Sequence, residues 1–264
     1  MNKYFHYLKL NLREEFAYKA DFFIDVAFNV SFFLVFFFVW KAVYSSGNLT
    51  EIANYSLANT ITYYFLTSLI FRLGLGENMY LNREIWNGWI TYELVRPYSP
   101  KLIYILTAYV MSFISFAFFI PIAIVIIIFA AQYLILPSLA MFLLFLVTIL
   151  LSLTLAISFN AILHSLCFYF GDQDANITLT NYVFSMLGGA LIPLNFLPAG
   201  LFQVLNYLPF KFIFYVPINI FMGKVPIDQI YSSWFQMIAW IIVFFSLYYF
   251  IFQNGLKKYA AVGR

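Results

Sequence analysis

The chain is 264 residues long, 64% hydrophobic and only 9% charged, with a formal net charge of +3 and a mean hydropathy of +0.88. Soluble domains carry roughly 25% charged residues, so a wholly water-facing surface is excluded and most of the exterior must face lipid. The 14 Lys and Arg form no basic stripe, which excludes nucleic-acid binding. One cysteine, Cys167, excludes an internal disulfide or a cysteine-based metal cluster and reads as apolar packing.

In chain order, Asn2 to Ala20 reads as a helix lying on the membrane surface, with Phe5, Leu8, Leu12 and Phe16 on one face and Lys9 and Arg13 at its edge. Basic and acidic residues are interleaved here, so a cleavable signal is not expected. A first span follows over Phe22–Tyr44 and ends in Ser45-Ser46-Gly47-Asn48; a second covers Ser56–Leu75. The longest polar stretch is Glu77 to Lys101. A third span covers Leu102–Ala130, with a kink expected at Pro121. Pro137 opens a fourth over Ser138–His164, a polar link covers Gly171–Asn176, and a fifth and sixth occupy Ile177–Leu194 and Trp234–Phe252.

The interval Asn195–Ser232 is too apolar for water, yet Pro198, Pro209, Pro217 and Pro226 cut it into pieces too short to span. Short helices that dip into the bilayer and return satisfy both facts, provided protein buries their broken ends. No internal repeat is visible, which argues against an inverted-repeat transporter.

Positive charge sets the orientation. With the N-terminus inside, the inner face collects Lys3, Lys9, Arg13, Lys19, Arg72, Arg83, Arg96, Lys101, Lys257, Lys258 and Arg264, and the outer face only Lys41, Lys211 and Lys224. Both termini are therefore expected in the cytoplasm. The abundance of Phe, Tyr, Ile and Asn points to an AT-rich prokaryotic genome and hence to a prokaryotic plasma membrane.

Few residues suggest chemistry. Gly223-Lys224 lacks the remainder of a phosphate-binding loop, so ATP, if used, is bound by another chain. Asp172-Gln173-Asp174 is a carboxylate pair able to hold a divalent cation, set against the plainer reading of a solvated link. His164 near a span end, and Asp21 and Asp25 in the first span, are ionisable groups of the kind that carry function in membranes. Glu84 to Ile90 reads as a short amphipathic helix on the cytoplasmic surface, with Trp86 and Trp89 suited to the headgroup zone. Arg83, Glu84 and Asn87 would then face water or a partner.

Three blocks in order carry a resemblance. Glu84-Ile85, Gly88, Ile90, Leu94 and Arg96-Pro97 resemble the E-I-x-x-G-x-I-x-x-x-L-x-R-P pattern between the second and third spans of type-2 ABC export permeases. Gly188-Gly189-Ala190-Leu191-Ile192-Pro193 through Leu197-Pro198, continued by Leu208-Pro209-Phe210, Pro217 and Gly223, is similar to that family's fifth span and outer hairpin. Gly255-Leu256-Lys257-Lys258-Tyr259 with Gly263 resembles its closing segment. One departure is Phe168-Tyr169-Phe170, where the family pattern has a Phe-Trp pair.

The resemblance implies an all-α integral membrane protein: six transmembrane helices, an N-terminal interfacial helix (1–21), a cytoplasmic coupling helix between spans 2 and 3, and an extracellular re-entrant helical hairpin between spans 5 and 6 (195–232). The whole chain, 1–264, would form one permease domain, with spans 1–5 in 22–194 and span 6 with its tail in 233–264. It implies a non-catalytic half-transporter that pairs with a second permease chain, identical or related, and with two ABC ATPase subunits. ATP and magnesium would be bound on those subunits. Arg83, Glu84, Ile85, Asn87, Gly88, Arg96 and Pro97 would couple to the ATPase. Gly188, Gly189, Pro193, Leu197, Pro198 and Pro209 would form the outer gate, and Gly188-Gly189 would allow close helix approach. Two other readings stand beside it: an intramembrane enzyme using Asp172 and Asp174 or His164, and a membrane scaffold or immunity protein.

Overall fold

The structure, a computed structural model, describes residues 19–47, 49–73, 80–97, 99–170 and 174–259. Among these, helices alternate with short turns and there is no strand beyond the isolated Ile52–Tyr55 bridge. The helices are α1 (Lys19–Ser46), α2 (Leu57–Arg72), α3 (Tyr80–Trp86), α4 (Ile90–Val95), α5 (Pro100–Ala130) and α6 (Leu139–Ser165). There follow α7 (Cys167–Phe170), α8 (Asp174–Tyr182), α9 (Ala199–Tyr207), α10 (Tyr215–Phe221) and α11 (Ile227–Lys258). Among the described residues, three helical segments are long and apolar enough to cross a bilayer: Pro100–Tyr133, Leu139–Phe170 and Ile227–Lys258.

Helix starts follow local chemistry. The Ser56 hydroxyl accepts the Asn59 N–H of α2 at 3.3 Å and the Ser138 hydroxyl accepts the Met141 N–H of α6 at 3.3 Å, satisfying first-turn donors. Pro100 occupies the opening turn of α5, where its missing N–H costs nothing. Asp228 lies in the first turn of α11 and Lys257 and Lys258 in the last, matching the helix dipole. Hydroxyls inside the spans bond back to their own helix: Thr67 to Tyr63 O at 2.8 Å, Ser112 to Ala108 O at 2.8 Å.

Packing makes α6 and α2 the axis of the molecule. α11 and α10 lie along α6, and α1 and α5 lie along α2. Only 22% of the most apolar stretch of α5, and the same share of α11, is buried, against 44% for α6. Val125, Ile128, Phe235 and Phe250 thus remain exposed on a surface suited only to lipid. α2 is enclosed throughout its middle, from Thr60 to Ser68.

Several expectations need correcting. The fifth helix stops at Leu187, not Leu194: a π-helical turn over Val183–Leu187 widens the coil, and the chain leaves it at Gly188. The hairpin region therefore opens before Asn195. The sixth helix is longer than expected at both ends, starting at Ile227. Of the proposed surface helix 1–21, residues 1–18 lie outside the described residues, and Lys19 already belongs to α1.

Candidate functional site

Two regions at opposite ends of α6 hold the residues singled out above. At the C-terminal end of α6, the expected single helix over Glu84–Ile90 is instead two short helices, α3 and α4, joined by Asn87-Gly88-Trp89. Gly88 sits at φ +80°, a left-handed conformation that a side chain disfavours. Its carbonyl accepts the Thr91 hydroxyl at 2.8 Å, which pins the turn.

One face of this pair is glued down. Leu81, Ile85 and Ile90 are buried in a cluster with Tyr104 of α5, Ala161 of α6, Cys167 of α7, and Tyr248 and Phe252 of α11. Tyr259 reaches over the turn, its hydroxyl 3.4 Å from the Ile85 carbonyl. Burial raises the Tyr259 pKa, with Cys167 adding to the shift, so the hydroxyl stays a donor. Phe168, in the stretch that departs from the family pattern, packs edge-on against Phe252 and Tyr259.

The opposite face is open. Trp86, Trp89, Tyr92 and Val95 are exposed, Tyr92 at 67% and Val95 at 84%. They recur every third residue, and this spacing was the sequence signal for Tyr92 and Val95, which sequence reasoning passed over. Asn87 is exposed with them. Arg83 takes its place in α3. Glu84, expected to face water or a partner, is buried, on the side of α3 that Leu81 and Ile85 press into the cluster. Glu93 is buried and accepts Arg96 at 2.6 Å, and Arg96 and Pro97 lie exposed beyond α4.

At the other end, Gly188, Gly189, Pro193 and Pro209 are buried, Leu197 is half-buried and Pro198 is exposed at the start of α9. A Cβ on Gly188 would stand 2.5 Å from the Phe184 carbonyl, and Gly189 is at φ +85°. The pair is thus not a seam between straight helices. It lets the chain turn sharply out of the fifth helix against Phe214 and Leu194 of its own hairpin.

The hairpin itself is α9 followed by Pro209–Phe221, bent by 82°. It reaches the midpoint of α6, where the Ser152 hydroxyl donates to the Phe212 carbonyl at 2.7 Å. Tyr63 and Tyr64 of α2 donate to the carbonyls of Gly189 at 2.7 Å and Leu191 at 2.9 Å. Tyr55 donates to Asn219 Oδ1 at 2.5 Å, and burial pushes its pKa up, which keeps the proton in place. The three bonds to the carbonyls of Gly189, Leu191 and Phe212 answer backbone groups outside regular helix, as a low-dielectric setting demands.

His164 is buried on α6 with Nδ1 3.0 Å from the Tyr104 hydroxyl, a partner 60 residues away in sequence. Asp172 lies outside the described residues, and Asp174 opens α8. Among the described residues no three His, Cys, Asp or Glu side chains gather as metal ligands would. Asp21 and Asp25 fall in α1.

No curated protein gives a significant match to the chain. A family profile described as ABC-2 family transporter protein matches residues 30–263, from within α1 to the end of the tail, and so includes both regions just described. This multi-pass membrane chain belongs to the ABC-2 family of transporter proteins.

Proposed function

We propose that the chain is the non-catalytic transmembrane subunit of an ABC exporter, crossing the plasma membrane of a prokaryote six times through α1, α2, α5, α6, the segment of α8 with the π-helical turn and Gly188–Leu194 that follow it, and α11. Both termini lie in the cytoplasm in this reading. Two separate ATPase subunits bind ATP and magnesium, and a second permease chain, identical or related, completes the transporter. The observation that carries it is the open aromatic face of α3 and α4, fixed through Leu81, Ile85 and Ile90 to the inner ends of α5, α6 and α11. An ATPase seated there moves three helix ends as one body, the rigid-body coupling that turns nucleotide-driven closure into a change of access. The hairpin caps the opposite mouth.

A pull-down of the tagged chain from native membranes in mild detergent, with mass spectrometry of what accompanies it, tests the reading. A near-stoichiometric soluble subunit bearing a phosphate-binding loop is expected. Reproducible isolation of an intact, monodisperse chain with no such subunit would overturn it.

A further inference from the structure

A cavity of about 430 Å³ opens at the hairpin end of the molecule, between the α1–α2 loop, the hairpin and the first turns of α11. That volume suits a small ligand. Lys211 and Lys224 line it, together with the amides of Asn54, Asn195, Asn206 and Asn219. No carboxylate is among its lining residues; the nearest acidic influence is exposed Glu51, which acts on Lys224 through space.

The charge is out of place. Under the orientation proposed above, only Lys41, Lys211 and Lys224 are basic residues of the outer face, where positive charge is scarce. Two of the three converge on this cavity. Neither is in an ion pair with a described residue. Lys211 Nζ donates to Asn206 Oδ1 at 2.7 Å and Lys224 Nζ to the Asn54 carbonyl at 2.5 Å. Each ammonium has three N–H donors; beyond the bond just given, Lys211 Nζ lies 4.8 Å from the Phe212 ring centroid and Lys224 Nζ 4.5 Å from that of Tyr55, which leaves each at least one donor. Burial lowers the Lys224 pKa, and Glu51, acting through space, offsets part of that shift.

The neutral groups have the same bias. Asn195 Oδ1 accepts the Tyr215 hydroxyl, Asn206 Oδ1 accepts Lys211, and Asn219 Oδ1 accepts Tyr55. Three amide oxygens are thereby consumed within the wall. The Asn219 NH2 donates to the Tyr215 carbonyl at 2.7 Å, while those of Asn195 and Asn206 have no described partner. Gln229, Ser233 and the Asn54 side chain add both donors and acceptors to the wall, so the bias toward donors rests on the two lysines and the amides of Asn195 and Asn206.

The Asn54 carbonyl is itself set by strain. Ala53 and Asn54 both have positive φ, +47° and +67°, inside a tight turn closed by the reciprocal Ile52–Tyr55 bonds. A non-glycine residue such as Ala53 occupies that region at a cost, and the turn delivers the carbonyl to Lys224.

We infer that this cavity is a binding site for a phosphate-bearing group at the outer face, either the headgroup of an anionic lipid or a small soluble phosphate ester. A phosphate offers several acceptor oxygens and a charge to two ammonium groups and two spare amides. The inference uses the orientation proposed above, but its test needs no ATPase.

The full chain, purified in non-ionic detergent and stripped of lipid, is titrated with dioleoylphosphatidylglycerol, with dioleoylglycerol as the phosphate-free control, and binding is followed by native mass spectrometry. Glycerol 3-phosphate and inorganic phosphate are added as competitors and as probes on their own. The phosphate-bearing lipid, or one of the soluble phosphates, is expected to bind, and K211Q/K224Q to weaken it at least tenfold. K41Q, on the same face but outside the cavity, should stay within twofold. Ser233→Phe narrows the cavity without touching either lysine and must also weaken binding; unchanged elution and thermal midpoint verify that each variant is folded. Competition by glycerol 3-phosphate identifies a headgroup-only site, whereas binding of the lipid without competition identifies the bilayer as source. Equal binding of dioleoylglycerol, an equal loss in K41Q, or no binding by any phosphate probe would overturn the site and leave the exporter reading intact. Failure to capture an ATPase would leave the binding result standing.

Discussion

The hairpin and the α3–α4 pair are built from the same ingredients: short helices, apolar side chains and a glycine held at positive φ. They differ in what surrounds the broken backbone. The hairpin reaches the midpoint of α6, and its freed carbonyls are met by hydroxyls of Tyr63, Tyr64 and Ser152 from the neighbouring helices. The α3–α4 turn has only Thr91 and Tyr259 above it and leaves Tyr92 and Val95 open. Where lipid excludes water, the chain must complete its own hydrogen bonds; where water reaches the backbone, water can do so. Under the orientation proposed above, the hairpin's broken backbone is satisfied by the fold, while the α3–α4 pair leaves an open aromatic surface.

The sharpest way to break the comparison is at the outer end. Gly188→Ala places a methyl 2.5 Å from the Phe184 backbone carbonyl, and a backbone atom cannot swing aside. A loss of about 4 kcal/mol or more is expected, read as disappearance of the monodisperse peak in detergent. A well-folded Gly188→Ala protein would mean that the fifth helix ends for some other reason. Tyr63→Phe is the milder probe. It strips the donor from the buried Gly189 carbonyl, costing about 1–3 kcal/mol, and should lower the thermal midpoint while leaving ATPase capture unchanged.

At the inner end the expected effects on stability are smaller. Gly88→Ala meets nothing closer than the Tyr259 hydroxyl at 3.6 Å, so its cost is the strain of φ +80° alone, about 1–2 kcal/mol. The chain should fold, with a modest fall in thermal midpoint, but α4 should turn away from α3 and ATP hydrolysis by the reconstituted complex should lose its link to transport. Transport at the normal rate per ATP would remove Gly88 from the coupling path.

How much of this was readable follows from which signals are local. The third, fourth and sixth helices stand where hydropathy places them, because a run of apolar residues needs no tertiary context. The break between α9 and Pro209–Phe221, bent by 82°, was legible from its prolines. The end of the fifth helix was not: Leu191 and Ile192 continue the apolar run, while Phe184 of the π turn packs on Phe159 and Phe210 and Tyr63 holds the Gly189 carbonyl just beyond it, all far away in sequence. Glu84 was assigned to the wrong face because its charge suggested water, whereas α3 packs it down beside Leu81 and Ile85. The partnership of His164 with Tyr104, and the tyrosines of α2 that roof the hairpin, depend on how α2, α5 and α6 pack, which no periodicity encodes.

Trp86 and Trp89 give the smallest expected change in the chain itself and the largest in its company. Both are about half exposed, and their truncation to Ala leaves no cavity, so the stability of the isolated subunit should stay within about 0.5 kcal/mol of the parent. Large aromatic side chains at the centre of an interface commonly carry about 2 kcal/mol or more each, so the double variant should retain the ATPase at least ~30-fold less well in the same detergent pull-down. The alternative is that these rings sit in lipid headgroups, as their composition alone would suggest. The double variant would then keep its ATPase and instead lose stability in bilayers relative to detergent, and the inner surface would be an anchor completed by lipid. That outcome would erase the contrast between the two ends, since both would then be satisfied without a protein partner.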